Sequence, residues 1–287
     1  MPTSVAFWVG AVFSHGMTIV SRMCRTRPLL SIAVLLGLIG ASCGSGESGS
    51  AATTEHAAGS PTVSGQVVVF AASSLTEAFK EIGDAFMAAN PDANVTFNFA
   101  GSGDLVTQIT EGAPADVFVS ADDSSMTKLT DADHNAGDPV RIAKNTFAII
   151  VEKGNPKGIG GLADLADPDL IVVLCADTVP CGKGAAKVLE NAGVTVAPKS
   201  LEDKVKGVVT KVTAGEADAG IVFVTDVEAA DDDAAGVAIP ADVNVISNYS
   251  AVITKEAPSA LAARALLDFV ASDAGQAILA EYGFLAP

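Results

Sequence analysis

Histidine is scarce in this 287-residue chain, with three in all: His15, His56 and His134. A serine or cysteine nucleophile ordinarily needs a histidine base, and neither His56 nor His134 is placed as a triad member. Gly101-Ser102-Gly103 also lacks the Gly-x-Ser-x-Gly elbow of hydrolases. Basic residues are few as well: 17 Lys and Arg against 34 Asp and Glu, a formal charge of −17. That balance excludes nucleic acid as a partner, because such binding rests on cations that neutralise phosphates. No phosphate loop of the Gly-x-x-x-x-Gly-Lys-Ser/Thr type occurs, and no His, Cys and carboxylate cluster has metal-ligand spacing. These absences point away from an enzyme.

Only four cysteines are present, and the N-terminus accounts for two of them. Arg22, Arg25 and Arg27 precede an apolar run from Leu29 to Ala41, then Ser42-Cys43. A positive flank, a short apolar segment and small residues read as a signal peptide over 1–43. The run is too short to span a bilayer comfortably. Cys43 is the expected lipidation point of an exported lipoprotein anchored in the cell membrane and facing outward. A soluble secreted protein with an incidental cysteine is the alternative, and Met17 or Met23 are alternative starts. Residues 44–65 are rich in Gly, Ser, Ala and Thr and read as a flexible tether. Cys24 falls within the signal, so Cys175 and Cys181 remain, and in an exported protein they are expected to form a disulfide. The first 43 residues hold three arginines and no acid, so the rest carries 14 basic against 34 acidic groups, about −20.

From residue 66 onward the pattern alternates between strands and helices. Val67–Phe70, Val95–Phe99 and Ala115–Ser120 read as strands, and Leu75–Asn90 and Leu105–Thr110 as helices between them. Thr146–Val151, Leu170–Leu174, Gly220–Val224, Val243–Ile246 and Tyr249–Ile253 read as further strands. Gly184–Asn191 and Val205–Ala214 read as helices, the latter with Ser200 as N-cap and Glu202-Asp203 in its first turn. Ala260–Ala271 and Ala274–Tyr282 close the chain as helices. The expected architecture is α/β with mainly parallel sheets in two lobes: 66–146 plus 249–287, and 147–248.

Two stretches stand out, Ala71-Ala72-Ser73-Ser74-Leu75-Thr76 and Phe99-Ala100-Gly101-Ser102-Gly103-Asp104. Each joins a strand to a helix and puts a hydroxyl where free backbone N–H groups and the helix dipole meet. Each serine alone reads equally well as a simple helix cap; together they read as two jaws of an anion site. Val179-Pro180-Cys181-Gly182, a Pro-x-Gly turn before a helix, offers further amides, and Val205 opens another helix. Ser74, Ser102, Cys181 and Val205 supply donors only, which suits a fully deprotonated oxyanion.

Val69–Phe79, Phe99–Gly103, Gly112–Asp122, Val179–Gly182 and Tyr282–Phe284 together resemble the molybdate-binding proteins of ABC importers. The resemblance covers essentially all of 66–287. It implies a two-lobed periplasmic-binding-protein fold, type II-like, with a two-strand hinge. It further implies an extracytoplasmic, monomeric solute-binding protein that carries molybdate, and tungstate with it, to a membrane permease, and needs no cofactor. By the family pattern Ser74 and Ser102 give hydroxyl donors, and Cys181 and Val205 give backbone amides. The fifth contact is a tyrosine hydroxyl in Gly-Ile-Val-Tyr; here that strand reads Gly220-Ile221-Val222-Phe223, so Thr225, Tyr249 or a water is left to replace it. The alternatives are a binding protein for another anion (phosphate, sulfate or an organic acid) and an exported serine hydrolase.

Overall fold

The computed structural model describes residues 63–287. The signal peptide, Cys24, Cys43, His56 and the tether up to residue 62 lie outside the described residues. Gly65, read as the last residue of the tether, instead opens the first strand.

In chain order the strands are β1 (Gly65–Ala72), β2 (Ala93–Ala100), β3 (Val117–Ser120), β4 (Asn135–Asn145), β5 (Phe147–Glu152), β6 (Val172–Cys175), β7 (Ser200–Glu202), β8 (Ala219–Phe223), β9 (Ala234–Ala238) and β10 (Ser247–Thr254). The helices are α1 (Thr76–Ala89), α2 (Ser102–Thr110), α3 (Asp123–Asp131), α4 (Pro180–Ala192), α5 (Val205–Thr213), α6 (Val224–Ala230), α7 (Ala260–Ala271) and α8 (Asp273–Glu281). None of the described helices is long and apolar enough to cross a membrane.

Two five-stranded sheets result, ordered β2-β1-β3-β10-β4 and β7-β6-β8-β5-β9. Each is built the same way. Three parallel strands (β2, β1, β3 and β7, β6, β8) are extended through two antiparallel pairings (β3-β10-β4 and β8-β5-β9), so that only β10 and β5 run against the rest. The sheets are therefore mixed, where mainly parallel ones were expected. The chain passes between the sheets at Thr146, a single residue separating β4 from β5, and returns between β9 and β10.

The helices pack as their apolar spacing requires. α1 buries Ala78, Phe79, Ile82 and Phe86 on one face, recurring at three- and four-residue intervals. A buried carboxylate marks each sheet at the residue before a central strand. Asp116 accepts from Val68 N (2.8 Å) and Ser259 N (2.6 Å). Asp218 accepts from Ile171 N at 2.6 Å. Both satisfy backbone donors that the sheets leave open.

Several boundaries differ from the sequence reading. α4 begins at Pro180, so the expected Pro-x-Gly turn is the first helical turn itself. Proline suits that position because its missing N–H has no partner there anyway. Ser200 lies in β7 rather than capping α5; the cap position is Lys204, and Glu202-Asp203 precede the helix. Residues 243–246 are no strand: Val243 N and Asn244 N both turn back to Pro240 O, at 3.1 and 2.9 Å. Residue 224 ends no strand either, since Val224 opens α6.

Candidate functional site

The carboxyl ends of β1, β2, β3, β6 and β8 face one small cavity, the usual ligand position in α/β sheets. The room it leaves for a water-sized sphere is about 10 Å³, close to the least that holds one water and far below the roughly 300–1,000 Å³ of clefts that hold drug-sized ligands. Ser74, Ser102, Cys181, Val205 and Phe223 all line it, brought together from positions up to 149 residues apart in sequence. Ser73 and Lys204 also line it, and sequence reasoning did not single them out.

Four helical starts converge on the cavity. The turn Ser73–Leu75 leads into α1, and Ser102 is the first residue of α2. Cys181 is in the first turn of α4, and Val205 begins α5. The first N–H groups of a helix have no intrahelical acceptor. In α4 the first i to i−4 bond runs from Lys183 N to Val179 O (3.0 Å), which leaves the Cys181 and Gly182 amides free. In α2 it runs from Leu105 N to Gly101 O (3.0 Å). Aligned peptide dipoles make such ends electropositive without a formal charge. No carboxylate among the described residues lines the cavity.

Both serines are held from behind. Ser102, fully buried, accepts from Ala121 N at 3.1 Å. Ser74 Oγ lies 2.9 Å from the hydroxyl of Tyr249, itself fully buried on β10. Burial pushes the Tyr249 phenol well above its ordinary value, so it stays neutral. Neither serine contacts a histidine or lysine base, which leaves hydrolase chemistry without its activating group.

Phe223 contributes a ring instead of a hydroxyl. It packs on Phe147 (centroids 4.7 Å) and Tyr249 (5.8 Å), and Tyr249 in turn meets Phe284 (5.3 Å). This aromatic row runs from one sheet to the other beneath the cavity. Of the two side chains offered as replacements, neither lines the cavity. Thr225 Oγ1 accepts from Asn145 Nδ2 (2.9 Å), and Tyr249 stands one layer back, behind Ser74. Asn145 carried no signal in the sequence, because its partners lie on β10 and α6.

The two lobes are closed over the site. Lys183 on α4 reaches Asp122 (2.7 Å) and Ser124 (2.5 Å) beside β3. Burial alone would raise the Asp122 carboxyl, but its bonds from Lys183 and Ser125 outweigh it and hold the group below the usual range. Lys206 on α5 reaches Glu77 on α1 (2.8 Å) and Asp226 (3.3 Å). Burial pushes Asp226 up to about 6 against the pull of Lys206. For Lys206, burial acts downward, but Asp226 and Glu77 prevail and hold it above the usual lysine value. Cys175, ending β6, is bonded to Cys181 with Cα atoms 5.7 Å apart, tying the first turn of α4 to its sheet.

Residues 67–285 match the family model described as bacterial extracellular solute-binding protein. The chain is 39% identical over 259 residues to a molybdate-binding protein of Mycobacterium bovis, covering 90% of this chain and 97% of that one. It is 30% identical over 234 residues to a molybdate-binding protein of Haemophilus influenzae, covering 78% of this chain and 91% of that one. Among solved structures, the periplasmic molybdate-binding protein of Azotobacter vinelandii shares the fold. Its TM-score is 0.65 at 22% identity, over 77% of this chain and 99% of that one. Both lines agree on a periplasmic-binding-protein fold, and proteins of this kind work outside the cytoplasm as binding components of ABC importers, not as enzymes. The chain belongs to the bacterial extracellular solute-binding protein family, together with these molybdate-binding proteins.

Proposed function

We propose that this protein captures molybdate in the interlobe cavity and delivers it to an ABC permease. One observation carries the reading: serine hydroxyls of the first lobe and helix-start amides of the second surround a single small cavity that no carboxylate among the described residues lines. Ser74 and Ser102 donate from the first lobe, and the Cys181 and Val205 amides donate from the second. Phe223 contributes apolar wall. The anion docks on one lobe, the other swings in at the Thr146 crossing, and the closed form presents both lobes to the permease. Tungstate, of the same charge and shape, binds in the same way. Cys43 carries the lipid that anchors the protein, and the Cys175–Cys181 disulfide keeps the α4 amides in place. The protein acts as a monomer.

Calorimetry with molybdate, tungstate, sulfate and phosphate tests this. Molybdate and tungstate are expected to bind most tightly. Ser102→Ala is expected to weaken both by about 1.5–3 kcal/mol, the range for a hydrogen bond to a charged group. Equal affinity of Ser102→Ala and the parent would remove Ser102 from the site. Anchoring is read separately: Cys43→Ala is expected to move the exported protein from the membrane fraction to the medium.

A further inference from the structure

Each serine at the cavity shares a neighbouring ion pair with one helix start of the opposite lobe. Glu77 lies three residues past Ser74 in the first turn of α1, and Lys206 directly follows Val205 in α5, which packs on the Ser73–Leu75 turn. Lys206 Nζ meets Glu77 Oε2 at 2.8 Å and so bridges the two lobes at that point. The other side repeats the arrangement. Lys183 lies two residues past Cys181 on α4, and Asp122 directly follows Ala121, whose N–H donates to Ser102 Oγ. Lys183 Nζ meets Asp122 Oδ2 at 2.7 Å. Both bridges are anchored within a lobe as well. Asp122 caps α3 by accepting from Ser125 N at 2.8 Å. Lys206 lies 3.3 Å from Asp226 Oδ1 on α6, a fully buried carboxylate of its own lobe that keeps the cation at the boundary.

We propose that Lys206–Glu77 and Lys183–Asp122 are two latches that hold the lobes shut over the captured anion and set its rate of release, with Glu77 and Asp122 as positioning residues that never line the cavity. The inference rests on the capture reading given above. Both pairs cross from one lobe to the other, so they form only once the lobes have met. They therefore stabilise the closed state and act on release more than on the encounter with the open cleft. Charge gives this role a distinctive sign. In a chain of formal charge −17, Glu77 and Asp122 both add to the field that repels a dianion. By charge alone, neutralising either one would tighten binding; as latch residues, neutralising them loosens it.

Glu77→Gln and Asp122→Asn remove the charge and keep the size, and asparagine still suits the cap of α3. Release is followed by rapid filtration, with radiolabelled molybdate chased by an excess of the unlabelled anion, and affinity by calorimetry. Each variant is expected to release molybdate about three- to fivefold faster, the upper range for partly exposed ion pairs. The association rate, taken from release and affinity together, is expected to stay equal or rise slightly. The two pairs share no residue, so the double variant should multiply the single effects to about tenfold or more. The ligand-free melting temperature is expected to stay the same, because the open lobes separate both pairs. Unchanged or slower release in a folded variant, with the parent still binding molybdate, overturns the inference for that pair. A lower ligand-free melting temperature with unchanged release does the same, since it marks a pair that serves stability alone. Failure of the parent protein to bind molybdate overturns the capture reading and the inference with it.

Discussion

Gly101 is where closure of the two lobes can be tested with one methyl group. A Cβ at this position would lie 2.6 Å from the carbonyl oxygen of Asp203, 3.0 Å from a Val179 methyl and 3.2 Å from Asp104 Oδ2. Gly101 ends the run from β2 into α2 in the first lobe, whereas Asp203 and Val179 precede α5 and α4 in the second. Non-bonded carbons prefer separations of about 3.5–4.0 Å, so the Asp203 backbone would have to retreat by about 1 Å. The lobes cannot make that retreat and keep the Val205 and Cys181 amides in place. Overpacking of this kind costs about 1–3 kcal/mol, equivalent to about 5- to 150-fold in affinity. The local backbone is not the obstacle: φ −61° and ψ 137° suit alanine as well as glycine. Gly101→Ala is therefore expected to weaken molybdate binding in calorimetry while the ligand-free melting temperature stays equal or rises slightly. Unchanged affinity would refute the claim that this contact limits closure. A large drop in ligand-free stability would place the clash inside one lobe instead of between them.

Two further outcomes follow from groups around the site. Asp226 is held at about 6 in the fold against 3.8 for the free side chain, so the folded state takes up its proton first. Its contribution to stability therefore rises as pH falls through about 6 towards 3.8, and Asp226→Asn is expected to flatten that part of a melting-temperature profile. A profile of the same shape in the variant would refute the assignment. The disulfide closes a short loop, with a sequence separation of 6, and loop-closure entropy gives about 2 kcal/mol for it. Paired Cys175→Ala and Cys181→Ala substitutions should lower denaturant stability by that order, and two titratable thiols in native exported protein would contradict the bond altogether.

The first lobe was the more legible in the sequence, and physical reasons account for the difference. Its strands and helices bury one face each, so periods of two and of three to four residues stand out, as in β1 and α1. β4 was missed because Gly137 and Pro139 interrupt it and most of residues 136–141 face solvent. β9 reads Ala-Ala-Gly-Val-Ala and α6 follows β8 without a break, so neither offers a boundary signal. Ser74 and Ser102 were legible because strand-to-helix turns announce themselves locally. The layer behind them was not. Tyr249 meets Ser74 across 175 residues, and Asn145 meets Thr225 across 80, contacts that only the packed sheets create.

The pairs Lys183–Asp122 and Lys206–Glu77 each place the cation on the second lobe and the anion on the first. In a chain with a formal charge of −17, the wider surfaces of both lobes repel an incoming dianion and each other. Added salt screens that long-range repulsion over a Debye length of about 8–10 Å but acts far less on partly buried pairs in contact. Capture should consequently speed up as ionic strength rises, the reverse of ordinary electrostatic steering, which would suit a receptor that must work in whatever brine surrounds the cell.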